Sequence, residues 1–201
     1  RKLDVLSLEL PALAPRIRRF YSLELFNLSG YDKIIFFDSD ILVAGDFSET
    51  LTGKGPISAC SDMPLQSKGM VRDRISFRRI GPAKTGEGQM VLRRTFNAGM
   101  MVINPDFLPE GVYSMLLELV HPDIFRNIRT HNTDQVALNL LFDGQATILS
   151  PLFNMPVHKW PVYLTNNAQN TAGLRALHFT GHPKPWEIAD GTPESVDDQT
   201  I

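Results

Sequence analysis

The sequence predicts an α/β sandwich, and three observations carry that prediction. Short apolar runs suited to strands recur at 34–37, 57–60, 100–103, 147–149 and 174–179. Longer segments with apolar residues near helical spacing lie among them. The runs and the helical segments alternate along the chain, which is the pattern of a sheet covered by helices.

The elements follow in order. Residues 15–28 place Ile17, Phe20, Leu23 and Leu28 near helical spacing, with Pro15 at the start and Gly30 as a cap. Ile34–Phe37 is four consecutive large apolar residues, which predicts a strand covered on both faces, as in a parallel sheet. Ile57–Cys60 predicts a second strand, ending at Ser61 and Asp62. Over residues 66–95 the pattern fails. Eight basic residues against two acidic ones give this stretch a net charge of about +6 and leave about −8 for the rest. It reads as a loop or lid, or as a solvated surface insertion.

Order returns at Phe96. Met100–Ile103 predicts a strand and residues 108–120 a helix. Asn132 or Thr133 caps a further helix through Phe142, closed by Asp143 and Gly144. Residues 147–149 and 174–179 predict later strands. The expected organisation is one domain over residues 1–186 and an acidic, polar tail over 187–201.

Composition narrows the function. Hydrophobic residues make up 43% and charged residues 21%, as in an ordinary globular protein. A formal net charge of −2 argues against a general role on nucleic acid or membrane surfaces. The single cysteine, Cys60, excludes an internal disulfide framework and fits a reducing compartment. The sequence has no apolar run long enough to span a membrane, and Arg1-Lys2-Leu3-Asp4 is not a signal peptide. A cytoplasmic location is expected, with the Golgi lumen left open.

The chemistry is concentrated in four places. Asp38 and Asp40 end the strand Ile34–Phe37, where ligands of open α/β sheets sit. Two acids there repel each other, and a magnesium or manganese ion would relieve the conflict; such an ion often holds the phosphates of a nucleotide. Acids at a strand end also cap turns, so the pair alone leaves both readings open. In Phe96-Asn97-Ala98-Gly99 the small residues let a ligand approach, and Asn97 offers bonds to a hydroxyl; the same residues suit a simple turn. Asp134 and Gln135 open a helix, where an acid favours the helix dipole and can also face a ligand. In His178-Phe179-Thr180-Gly181-His182-Pro183-Lys184-Pro185-Trp186 a histidine ends an apolar strand before a glycine turn and a lysine between prolines. His178 can complete the coordination of a metal held by Asp38 and Asp40, and the Gly181 amide and Lys184 can neutralise a diphosphate.

The succession F-F-D-S-D, F-N-A-G-M-M-V-I-N, N-T-D-Q-V-A-L-N and H-F-T-G-H-P-K-P-W resembles the glycogenin-like glycosyltransferase family 8, from about Arg16 to Trp186. The resemblance implies a GT-A (nucleotide-diphospho-sugar transferase) fold, a mixed sheet flanked by helices. It implies manganese-dependent transfer of a sugar, with retention, from a nucleotide-sugar donor, usually a UDP-sugar. Magnesium is the second choice of ion. The acceptor would be a hydroxyl of a glycan or a protein. Carried over, Asp38, Asp40 and His178 bind the metal. Ser39 lies beside the ribose, and Asn97, Ala98 and, in C-S-D, Asp62 face the donor sugar. Asp134 and Gln135 stand beside the reacting carbon, Gly181 and Lys184 hold the diphosphate, and Asn154 lies near the site.

Two departures accompany it. The family's opening strand and base-binding turn are not matched, so the fold is expected to lack its first N-terminal unit. The basic residue before the Asp-x-Asp strand has no clear match; Tyr21 or Ser22 falls near its place, with Arg18 and Arg19 one turn earlier. Two other readings stand beside the transferase: a haloacid dehalogenase-type phosphatase using Asp38 as nucleophile, and a non-catalytic sugar-nucleotide binding fragment.

Overall fold

The structure is a computed structural model, and it describes residues 2–61, 95–126, 133–161, 164, 173–181 and 184–187. The expected 66–95 basic loop, apart from Thr95, and the 187–201 tail, apart from Glu187, lie outside the described residues.

Helix α1 (Lys2–Glu9) leads into a 3-10 helix, Pro11–Asn27. Pro15 lies inside this helix rather than at the start of an α-helix. The reason is legible in the spacing: Ile17, Phe20, Leu23 and Phe26 recur every third residue. A helix with three residues per turn stacks that series on one face. Phe20, Leu23 and Phe26 are buried there, with Leu13.

Strands β1 (Ile34–Phe37), β3 (Ile57–Ser61), β4 (Phe96–Ile103) and β5 (Thr147–Leu149) form one sheet in the order β1-β4-β3-β5. Strands β2 (Ile41–Val43), β6 (Met155–Pro156) and β7 (Ala176–His178) form a second, ordered β2-β7-β6. Three further α-helices are described: α2 (Val112–Leu119), α3 (Pro122–Arg126) and α4 (Asp134–Leu141).

The mixed sheet agrees with the expected fold class, but β1 differs from its expected environment. It pairs antiparallel with β4 and is one of the two edge strands of the described sheet. Ile34 is buried while Ile35 is 38% exposed, so the run is not covered on both faces. A run of four apolar residues cannot distinguish a central parallel strand from an edge strand packed on one side.

Strand β4 is the backbone of the site. Phe96, Ala98, Met101 and Ile103 join the main core, while Met100 and Val102 join a second cluster with Cys60 and Phe153. Strict alternation breaks between Ala98 and Met101. The register explains it: Ala59 opposes Met101 but Ser61 opposes Phe96, so β4 carries extra residues in a bulge. Asn97-Ala98-Gly99 is therefore a bulged strand, not a turn.

The main core packs α1, the 3-10 helix, α2 and α4 onto one face of the larger sheet. Helix α4 buries Gln135 through Asn139 in succession, being enclosed by β4, α2 and the 3-10 helix. On the other face Phe37, Phe47 and Phe153 stack edge to face, with ring centroids 5.0 and 5.2 Å apart. These rings brace the chain just before Asp38.

Candidate functional site

Asp38, Ser39 and Asp40 link β1 to β2, and so join the two sheets. The Asp38 N–H donates to Gly99 O at 2.7 Å, and the Ile41 N–H closes the turn onto Asp38 O at 3.1 Å. Beyond the turn, Ile41 pairs with His178 across β2 and β7, and the Phe179 N–H donates to Asp40 O at 2.9 Å. This pairing brings His178 to the two acids across a long stretch of sequence.

His178 Nε2 lies 3.2 Å from Asp40 Oδ1 and 3.8 Å from Asp38 Oδ2, and one ligand atom from each of the three residues lies within 4.8 Å of the others. Around a hard divalent cation with bonds of about 2.1 Å, octahedral ligands stand about 3.0 Å apart when adjacent and about 4.2 Å when opposite. Two carboxylates and an imidazole at these separations suit such an ion. Lys184 Nζ donates to Asp40 Oδ2 and to Phe179 O, so it tethers the segment after β7 to the same acid.

Burial favours the neutral form of each shifted group at the site. Burial, then the charges of Asp134 and Asp40, push the Asp38 carboxyl up to about 7, against opposing pulls from Arg19 and Lys184. Its side chain is 47% exposed, so solvent screens part of the repulsion. Burial also raises the Asp134 carboxyl, opposed chiefly by hydrogen bonds from Ser22 and Thr133. His178 is lowered, mainly by burial, which favours the neutral ring that a cation needs.

Asp134 and Gln135 open α4 beside β4. Ser22 Oγ donates to Asp134 Oδ2 at 2.6 Å, and Thr133 Oγ1 donates to Asp134 Oδ1 at 3.1 Å. Gln135 Oε1 accepts from the Ala98 N–H at 3.1 Å and from Asn97 Nδ2 at 3.2 Å. Asn139, one turn on, both donates to Phe96 O and accepts from the Phe96 N–H, each at 2.8 Å. That double clamp docks α4 on the bulged strand.

The structure thus gathers Asp38, Asp40, His178, Lys184, Asn97, Ala98, Asp134, Gln135 and Asn154 into one region. Ser39 lies exposed in the turn between the acids, and Gly181 lies at φ +83 in an exposed turn. Asp62 lies outside the described residues. Of the four residues near the unmatched basic position, Tyr21 is 64% exposed and lines a cavity with Lys2 and Leu117, whereas Ser22 reaches Asp134. The Arg19 charge acts on both Asp38 and His178. The sequence marks Ser22 and Arg19 only as neighbours of the unmatched basic position, with no link to Asp134 or His178, and does not single out Asn139. A serine and an arginine on a surface helix and a helical asparagine carry no local signal; only the packing of three distant elements gives them partners.

Comparison with known proteins bears on the family and the fold. The sequence model for glycosyl transferase family 8 matches residues 18–189. Among solved structures, the galactosyltransferase LgtC in complex with donor and acceptor sugar analogues superposes with a TM-score of 0.58 at 20% identity, over 85% of this chain and 60% of LgtC. GlyE of Streptococcus pneumoniae TIGR4 gives 0.54 at 21% identity, over 82% and 38% of the two chains. The bifunctional glycosyltransferase WbbM gives 0.56 at 20% identity, over 83% and 32%. These likenesses show the fold, the GT-A arrangement of glycosyltransferases. The chain spans less than two thirds of the length of each of these proteins. No curated protein sequence matches it.

Proposed function

The chain belongs to glycosyl transferase family 8, and from that premise we propose that it is a manganese-dependent retaining glycosyltransferase. It moves a hexose from a nucleotide-sugar, in the first place a UDP-sugar, to a hydroxyl of a glycan or protein. The observation that carries this reading is the convergence of Asp38, Asp40 and His178 within 4.8 Å, next to Lys184.

In the proposed reaction Asp38, Asp40 and His178 hold the cation, with manganese preferred to magnesium. When bound, the ion supplies positive charge to the leaving diphosphate. Lys184 and the Gly181 amide add to that charge stabilisation, Ser39 lies at the ribose, and Asn97, Ala98 and Asp62 contact the donor sugar. The bond that breaks joins the anomeric carbon to the β-phosphate oxygen. The bond that forms joins that carbon to the acceptor oxygen, and the acceptor proton leaves on the nucleoside diphosphate.

Two routes give retention: double displacement through Asp134, or attack on the face the phosphate is leaving. The surroundings of Asp134 support the second. Its oxygens are engaged by Ser22 and Thr133, and burial raises its carboxyl. Such a group holds a sugar hydroxyl better than it attacks carbon. Gln135, a poor nucleophile, would align the sugar. The phosphatase alternative is set aside, because the family match covers residues 18–189.

Among the described residues no helix is long and apolar enough to cross a membrane. The cytoplasm is the proposed location on the strength of the single cysteine, Cys60. Residues 66–95, with their net positive charge, are the proposed recruiter of an anionic acceptor.

A panel of nucleotide-sugars tested for manganese-dependent hydrolysis and transfer decides the proposal. Release of nucleoside diphosphate that vanishes with EDTA and in Asp38→Asn is the expected result. Calorimetric binding of UDP with manganese, without turnover of any donor, would instead identify a sugar-nucleotide binding module.

A further inference from the structure

A chain of buried and half-buried amides runs from β4 to His178, and the backbone sets its polarity. Two N–H groups anchor it. The Ala98 N–H meets Gln135 Oε1 at 3.1 Å, and the Gly99 N–H meets Asn97 Oδ1 at 2.9 Å. A backbone N–H only donates, so both side-chain atoms must be oxygens; flipping either amide would set donor against donor. With its oxygen committed, Asn97 presents Nδ2 to Gln135 Oε1 at 3.2 Å. Asn97 Oδ1 takes a second donor, Asn154 Nδ2, at 2.8 Å. Asn154 Oδ1 is then left 2.8 Å from His178 Nδ1. An amide oxygen only accepts, so Nδ1 carries the ring proton and Nε2 keeps a lone pair. Nε2 is the atom that faces Asp40 and Asp38.

We propose that Asn154 is a positioning residue that passes this polarity to His178. It holds the ring in the Nδ1–H tautomer with the Nε2 lone pair aimed at the cation pocket. It also ties that pocket to Asn97 and Gln135, where the donor sugar is proposed to lie. Asn154 is buried at 3% exposure, so solvent does not replace its bonds. Asparagine is the residue the chain requires. An aspartate would still accept from Nδ1–H but would set an oxygen against Asn97 Oδ1. Asn97 cannot turn away without abandoning the Gly99 N–H. The cation half of this role rests on the proposed function; the tautomer does not.

The test uses the whole chain. Nitrogen-15 NMR of the metal-free protein reads which nitrogen of His178 is protonated, with the signal assigned by its loss in His178→Gln. Electron paramagnetic resonance titration reads manganese affinity. The Nδ1–H form is expected in the native protein. Asn154→Ala loses that preference and binds manganese about 10–100-fold more weakly, the usual effect of removing a partner of a ligating histidine. Asn154→Asp keeps the Nδ1–H form and binds manganese at least as tightly as the native chain, yet its donor KM rises while Asn97 is misaligned. A native Nε2–H tautomer would overturn the proposal. So would an alanine variant that binds manganese normally, or an aspartate variant as weak as alanine. If the native chain binds no manganese, the functional reading fails, and the tautomer in the native and Asn154→Asp proteins still decides the positioning role.

Discussion

Gly99 lies so close to His178 that a methyl group on Gly99 would stand 2.3 Å from the imidazole Cε1. It would also meet Nδ1 of the ring and Asn97 Oδ1, each at 2.9 Å. The bulged strand and the strand that carries His178 thus meet through a residue that has no side chain. Neither neighbour can yield cheaply: the ring is hydrogen-bonded to Asn154, and the Asn97 oxygen holds the Gly99 N–H.

Gly99→Ala is therefore expected to displace His178 from the two acids. Overpacking of this kind destabilises by about 1–3 kcal/mol. Chemical denaturation should show that loss, and manganese titration should show affinity reduced by at least about tenfold. An alanine variant with native affinity would mean that the ring has freedom not evident in its contacts.

Asp38 links pH to stability. Its carboxyl is raised to about 7 in the folded chain from an ordinary value of 3.8. The native state therefore holds this proton more firmly than the unfolded state. Stability from this group is fully present below 3.8 and is lost as pH rises to about 7. Thermal melts in EDTA should show the metal-free chain weakening across that window. Asp38→Asn should flatten the decline and raise the melting temperature at neutral pH, while it abolishes manganese binding. Parallel pH profiles for the two proteins would contradict the assignment.

Ser22 tests the role of Asp134 from the opposite side. Its hydroxyl donates to a carboxyl buried at the head of α4. A hydrogen bond to a charged group contributes about 1.5–3 kcal/mol. Ser22→Ala should lose stability of that order once Asp134 is ionised, because the carboxylate is the form that needs the donor. The loss should shrink at acid pH, where Asp134 is protonated. Denaturation at two pH values checks this.

How much of this was legible in the chain varies with the range of the interactions. The acids could be placed because the run Ile34–Phe37 delivers Asp38 directly, and strand identity is a local property. His178 could be grouped with them as a chemically suitable third ligand, a grouping the resemblance of four blocks strengthens, but its closeness could not be read locally because the β2–β7 pairing spans residues 41–178. Asn97-Ala98-Gly99 suits a turn as well as a bulge, since small residues serve both, so the bulge is not distinguishable from the residues alone. The threefold spacing of Ile17, Phe20, Leu23 and Phe26 was present in the sequence, but a 17-residue 3-10 helix departs from the short pieces in which that geometry usually occurs. The bond between Ser22 and Asp134 has no local signature.

Lys184 separates cation binding from diphosphate binding. Without a cation, its ammonium neutralises Asp40 on one oxygen while His178 approaches the other. An incoming ion competes with that ammonium for the same carboxylate. Lys184→Met should therefore bind manganese more tightly in the absence of nucleotide, by on the order of fivefold for a partly exposed ion pair. With UDP present the sign should reverse, because the lysine is then proposed to pair with the diphosphate and its loss removes an attraction. Manganese titrations with and without UDP measure both terms on one variant. A lysine that served only to anchor the segment after β7 would shift the two affinities in the same direction.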